Sequence, residues 1–473
     1  MTQRGPTLRT TLVYLALLPI AALACWAVDG LGTDLHAPAP SPSAPHFAEQ
    51  TAAPMVLDTF MHVLLALGVI IIVARALGAL FKRLRQPPVM GEVIAGILLG
   101  PSALGYVWPD ATRFLLPAHV APALDGLAQM GVLLYMFIIG LDLNPAVLRG
   151  RAAATITVSH ASIVVPFILG FALCLYTYPR YSTSDVPFTL FALFGGVALS
   201  ITAFPVLARI LADRDLQRTP IGTIALACAA VGDVTAWCLL AFIVSVVRAT
   251  MGGAVITLAC SVLYIGVMLG LVRPWLHRFV AKVEGQDGVT RSVMTLVFIG
   301  LLASSLVTSL IGIHALFGAF LFGAIIPHDS RLARQVTDRL EDVVVVLLLP
   351  AFFAFVGMRT QIGLVSGAGA WLTVLLIFGV ACVGKFGGAF VAARLTGLST
   401  PDSALLGALM NTRGLMELIV LNVGLDLRVL SPTLFTMMVL MAIATTMMTT
   451  PLVDLLVKRA SLARAPLEPG SVV

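Results

Sequence analysis

Charge is scarce in this 473-residue chain, where Asp, Glu, Lys and Arg together account for 11% of residues. A soluble globular protein carries about 25%, so a fold that faces water over its whole surface is excluded. Six cysteines (Cys25, Cys174, Cys228, Cys238, Cys260 and Cys382) fall in or beside apolar runs, with no CxxC pair and no histidine cluster at metal-ligand spacing. Neither a disulfide framework nor a zinc site is expected, and small buried thiols are the simplest role. No G-x-G-x-x-G follows a strand-like pattern, so no soluble nucleotide-binding domain is expected. No nucleophile and base pair stands out either, which leaves an enzyme unsupported and no cofactor implied.

What is present is apolar. Hydrophobic residues make up 59% of the chain, the mean hydropathy is +1.01, and runs of about twenty apolar residues recur, the length that crosses a bilayer core as a helix. The expected fold is an all-α polytopic membrane protein with about thirteen spans, near 55–81, 88–107, 121–144, 152–177, 186–212, 220–248, 253–279, 291–311, 313–327, 340–359, 369–394, 402–425 and 430–457. Cytoplasmic loops carry the Lys and Arg excess. Loops after odd-numbered spans, with the tail, hold twenty such residues, whereas loops after even-numbered spans hold five: Arg113, Arg180, Arg248, Arg359 and Arg428. That asymmetry predicts a cytoplasmic C-terminus. It also accounts for the net charge of +6 as membrane orientation, with no nucleic acid needed. Arg4 and Arg9 precede the apolar run Thr11–Ala27, and a Pro/Ala-rich stretch follows. Residues 1–54 therefore read as a signal sequence or signal anchor plus extracytoplasmic linker, 55–458 as the transmembrane domain and 459–473 as a short tail.

Two pairs of stretches echo each other. "YMFIIGLDLN" (Tyr135–Asn144) closes span three and "AFFAFVGMRTQ" (Ala351–Gln361) closes span ten; "AGILLGP" (Ala95–Pro101) ends span two and "GAFLFGAIIP" (Gly318–Pro327) ends span nine. Units seven crossings apart enter the membrane in opposite directions, so this is an expected inverted repeat. Such repeats characterise secondary transporters, whose substrates bind near the midplane at helices broken by Gly or Pro.

The fourth span of each unit has such a break. In "LSITAFPVLARIL", Pro205 frees carbonyls around Ser200, Thr202 and Ala203 from the helical ladder. In "NTRGLMELIV", Asn411, Thr412, Arg413 and Gly414 interrupt an apolar segment, and Glu417 lies one turn beyond Arg413. Crossed breaks bring together half-helix ends of opposite partial charge, and Arg413 suits the negative C-terminal ends; an i,i+4 pair with Glu417 is the structural alternative for both. Asp233, in "AVGDVTAW", and Lys385, in "VACVGKFGGAF", are intramembrane charges expected to pair. Asp233 is either only a structural partner of Lys385 or a carboxylate that takes a proton or a monovalent cation in turn, assisted by Ser200 and Thr202. Competition at one site suffices for exchange. His160, His314 and Glu92 read as structural polar contacts, Asp142 as a solvated helix end, Trp237 as a packing wall and Pro327–Asp342 as a solvated amphipathic helix.

The stretches "SITAFPVLARIL", "AAVGDVTAW", "HALFGAFLFGAIIP" and "NTRGLMELIVLNVGL" resemble the monovalent cation:proton antiporter-2 family, especially its plant cation/proton exchanger-like branch and bacterial relatives, over about residues 55–458. The resemblance implies a sodium/proton antiporter fold with two crossed discontinuous helices, a mobile core part with elevator-like movement, a homodimer, and K⁺ or Na⁺ exchanged for protons across the bacterial inner membrane. Asp233 matches the family's ion-binding aspartate, Thr202 and Ala203 its unwound segment, Lys385 a basic residue of the core, and Arg413 and Glu417 a motif that commonly reads NTKGL in the plant-like branch. Gly232 departs from the pattern, since the family usually has Asn, Asp or Gln before the aspartate. One carboxylate makes electroneutral exchange the simpler expectation, whereas proton release by Lys385 would make it electrogenic. A channel-like or sensor protein on the same scaffold and a sodium-coupled organic anion symporter remain alternatives.

Overall fold

The computed structural model describes residues 8–38, 59–142, 152–217, 219–248, 251–284, 290–312 and 314–464. Among these residues every extended element is helical. The N-terminal half contributes α1 (Leu8–Gly32), α2 (Thr59–Arg83), α3 (Pro88–Leu99), α4 (Ala121–Asp142), α5 (Ala152–Tyr181), α6 (Phe188–Ser200), α7 (Phe204–Ala212), α8 (Pro220–Arg248) and α9 (Met251–Val267). The C-terminal half contributes α10 (Arg291–Ile311), α11 (Ala315–Ile325), α12 (Arg331–Asp342), α13 (Leu349–Arg359), α14 (Gly367–Cys382), α15 (Gly388–Leu395), α16 (Thr400–Met410), α17 (Leu415–Asp426) and α18 (Pro432–Arg464).

Ends are placed by local chemistry. The Ser330 and Ser399 hydroxyls cap α12 and α16 by accepting from the Ala333 and Asp402 amides, and α10 stops at Gly312 in the left-handed region at φ 99°. Three helices run through π-type turns, at Met268–Val272, Val343–Leu348 and Val383–Gly387. The last of these carries Lys385.

Ten helices among the described residues are long and apolar enough to cross a membrane. The three other expected spans differ in kind. Residues 220–248 are helical throughout as α8; 402–425 is split into α16 and α17; and 313–327 shrinks to the 11-residue α11. At 1.5 Å per residue α11 is roughly 17 Å long, short of a ~30 Å bilayer core. The final helix runs to Arg464, past the expected end at 457 and into the expected tail.

Packing around the echoed stretches is reciprocal. On α3 and α13, a Cβ at Gly96 would lie 2.3 Å from the Ala354 carbonyl oxygen and one at Gly357 2.4 Å from that of Val93. On α4 and α11, a Cβ at Gly140 would lie 2.3 Å from the Phe320 carbonyl oxygen and one at Gly323 2.3 Å from that of Phe137. Each early helix therefore meets a late one backbone to backbone, at a distance only glycine permits.

Candidate ion-binding site

Both broken spans are open at the expected residues. Helix α6 stops at Ser200, Ile201 and Ala203 adopt extended backbone (ψ 138° and 97°), and α7 restarts at Phe204 with Pro205 in its first turn. There Pro removes an amide that has no helical partner in any case. In the second break α16 ends at Met410 and α17 begins at Leu415, preceded by Gly414 at φ 145°, ψ −129°. A side chain at Gly414 would be strained by that backbone and would also press its Cβ to 3.0 Å from the Val206 side chain.

The two breaks cross and are bonded to each other. The Ala203 amide donates to the Thr412 carbonyl at 3.1 Å and the Thr202 hydroxyl to the Met410 carbonyl at 3.2 Å. Four half-helix ends meet here, two presenting unsatisfied carbonyls and two unsatisfied amides. Arg413, fully buried, donates to the last-turn carbonyls of α6, at 3.2 Å to Ala198 and 2.7 Å to Leu199, and to Glu417 at 2.9 Å. Both the helix-end and the i,i+4 expectation for Arg413 are thus realised together. Lys385, also fully buried, donates to the Ser200 carbonyl at 2.5 Å and to the Thr202 hydroxyl. Glu417 lies in the first turn of α17, where its charge complements the amide end.

Asp233 stands near the middle of α8, 3% exposed, and neither carboxylate oxygen has a hydrogen-bond partner. The Lys385 ammonium and the Phe204 backbone amide, at the start of α7, are the groups that attract it electrostatically. The expected direct ion pair with Lys385 does not form, because the ammonium is taken up by the α6 end. Beside Asp233, a Cβ on Gly232 would have no heavy atom within 4 Å. The missing side chain at Gly232 is therefore matched by space.

Ser200 contributes its carbonyl, since its hydroxyl turns back to the Val197 carbonyl at 2.8 Å. Asn411 and Thr412 are buried in the break, Asn411 with its amide nitrogen 3.7 Å from the Cys382 sulfur and Thr412 bonded to the Leu409 carbonyl at 2.7 Å. His314 caps α11 through Nδ1, 3.4 Å from the Leu316 amide, and Asp142 is exposed at its helix end. The Trp237 side chain lies outside the described part of the structure. One contributor is not apparent from the sequence alone. The Thr446 hydroxyl accepts from the Arg413 amide at 3.2 Å, and the run of buried threonines in "ATTMMTTP" was the available signal.

Residues 68–458 match the sequence family described as "Sodium/hydrogen exchanger, transmembrane". The chain belongs to that family. It is 43% identical over 401 residues to the Na(+)/H(+) antiporter NhaS4 of Synechocystis, covering 84% of this chain and 98% of the relative. It is 41% identical over 406 residues to cation/H(+) antiporter 20 of Arabidopsis thaliana, covering 83% and 48%, and 30% identical over 422 residues to K(+)/H(+) antiporter 1 of Saccharomyces cerevisiae, covering 86% and 47%. The chain thus spans about half the length of these plant and yeast relatives. Among solved structures, it shares the fold of the sodium proton antiporter MjNhaP1 from Methanocaldococcus jannaschii, with a TM-score of 0.62 at 14% identity over 86% of this chain and 98% of that one.

Proposed function

We propose that the chain exchanges a monovalent cation, K⁺ or Na⁺, for protons by alternating access, with Asp233 as the group for which the two compete. The observation that carries this reading is a buried carboxylate without a hydrogen-bond partner beside two crossed, unwound segments. In this scheme Asp233 binds the ion, aided by the backbone around Ala203, while Lys385, Arg413 and Glu417 balance the half-helix ends and Thr202 ties the breaks together. Relatives named as Na⁺/H⁺, K⁺/H⁺ and cation/H⁺ antiporters support the exchange of a cation for protons. None of these relatives is named as a channel or an organic-anion symporter. The reciprocal glycine contacts of α3 with α13 and α4 with α11 support an inverted repeat and, with it, thirteen crossings. A homodimer in the bacterial inner membrane with a cytoplasmic C-terminus completes the proposal.

The test uses proteoliposomes with an internal pH dye and pulses of Na⁺, K⁺, Rb⁺ or Li⁺. Wild type is expected to move protons against the cation, and Asp233→Asn to lose that response. Proton movement undiminished in Asp233→Asn would remove Asp233 from the mechanism.

A further inference from the structure

The N-terminal apolar segment reads from sequence as a signal, cleaved or retained. Its place in the fold separates these fates. Helix α1 is 25 residues long, enough to cross a ~30 Å core, and its apolar run Thr11–Ala27 spans 17 residues, more than the roughly 7–15 of a signal core. It also carries features that a transient targeting helix has no use for. Asp29, half-buried, accepts a hydrogen bond from the Thr189 hydroxyl at 2.6 Å, across 160 residues of sequence. Gly32 lies against the ring of Phe188, so closely that a Cβ there would come to 2.0 Å from it. The chain beyond the helix stays docked, with the Pro38 carbonyl accepting from the Ser184 amide at 3.1 Å and Leu35 and Ala37 packed on the main core. The outer face of α1 shows Ile20, Leu23, Trp26 and Leu31, 60–76% exposed, as suits a lipid-facing surface. Direction agrees as well: Arg4 and Arg9 place the start of α1 in the cytoplasm, so its end meets α6 at the extracytoplasmic side, where the loop between α5 and α6 is expected.

We propose that α1 remains in the mature protein as a further membrane helix, docked on α5 and α6 by the Asp29 to Thr189 hydrogen bond and the Gly32 to Phe188 contact. The partner surface is the outer end of α6, the helix whose other end supplies the Ala198, Leu199 and Ser200 carbonyls to Arg413 and Lys385. The inference holds whatever ion the protein carries.

Intact-mass and N-terminal peptide analysis of the full chain purified from membranes is expected to retain the whole of α1, from Leu8 through Asp29 and Gly32. A mature species that begins within α1 or beyond Gly32 overturns the proposal. Thermal unfolding of Asp29→Ala, Thr189→Val and the double variant then tests the docking. Each single change is expected to lower Tm by about 2 °C, with no further loss in the double variant. Unchanged melting in both single variants, or fully additive losses, rejects the latch even if the helix is retained.

Discussion

Gly232 and Gly414 make opposite demands on a side chain. Gly414 holds a backbone conformation closed to L-residues and has Val206 at van der Waals limit; Gly414→Ala is expected to cost about 1–3 kcal/mol, read as a fall in Tm in detergent. Gly232 is helical with open space at its Cβ position, so Gly232→Ala is expected to leave stability unchanged or raise it by up to about 1 kcal/mol. Gly232→Asn starts from the same open Cβ position and would bring an amide oxygen near Asp233; a lower apparent KM for the cation is expected in the pH-dye assay, and an unchanged KM would mean the space is not part of the ion's surroundings. Asp233 was legible from sequence because a carboxylate in an apolar run needs a reason. The partner of Lys385 was not, because pairing side chains by sign ignores the partial charge on a helix end. That end exists only once α6 stops at Ser200 and points its carbonyls at the ammonium.

At the scale of elements, Arg413 is the clasp between the second break and the last turn of the first. Arg413→Ala leaves the Ala198 and Leu199 carbonyls and a buried Glu417 carboxylate without their donor, and is expected to cost about 3–5 kcal/mol. Arg413→Lys keeps a charge but not a forked donor, so its loss in Tm is expected to be intermediate. If Lys matched wild type, geometry would not matter at this clasp. Packing between elements makes a second demand: Gly96→Val and Gly357→Val each force side chains into a facing backbone carbonyl at 2.3 and 2.4 Å, so both are expected to reduce the folded yield and Tm, and Gly363→Val, with nothing within 4 Å of its Cβ position, to do neither. The two breaks were readable from Pro205 and from "NTRG". The shortness of α11 was not, because its limits come from His314 capping one end and from extended backbone at Ile326 at the other, while its composition is apolar throughout.

Across the molecule, the crossing balances its formal charges. Arg413 and Lys385 contribute two positive charges, and Glu417 and ionised Asp233 two negative ones. A proton or a monovalent cation on Asp233 shifts that sum by the same single unit, so the two loaded states are electrostatically alike in any movement of the core. One-for-one, electroneutral exchange follows as the expected outcome. With the membrane potential clamped, transport by wild type is expected to carry no net current, and Lys385→Gln to change rate without creating or removing one. A wild-type current that vanishes in Lys385→Gln would instead assign a second proton to the lysine, whose present bonds to Ser200 and Thr202 would then have to break in each cycle.

The contact between Asp29 and Thr189 also sets an order of events in synthesis. Helix α1 leaves the ribosome first, and its partner is made 160 residues later, roughly 8–32 s at about 5–20 residues per second. Until then the carboxylate near the end of α1 waits at the membrane surface without its acceptor-matched hydroxyl. Docking of the first helix is therefore a late step in assembly, and it closes only after α6, whose far end supplies the carbonyls held by Arg413 and Lys385, has been inserted.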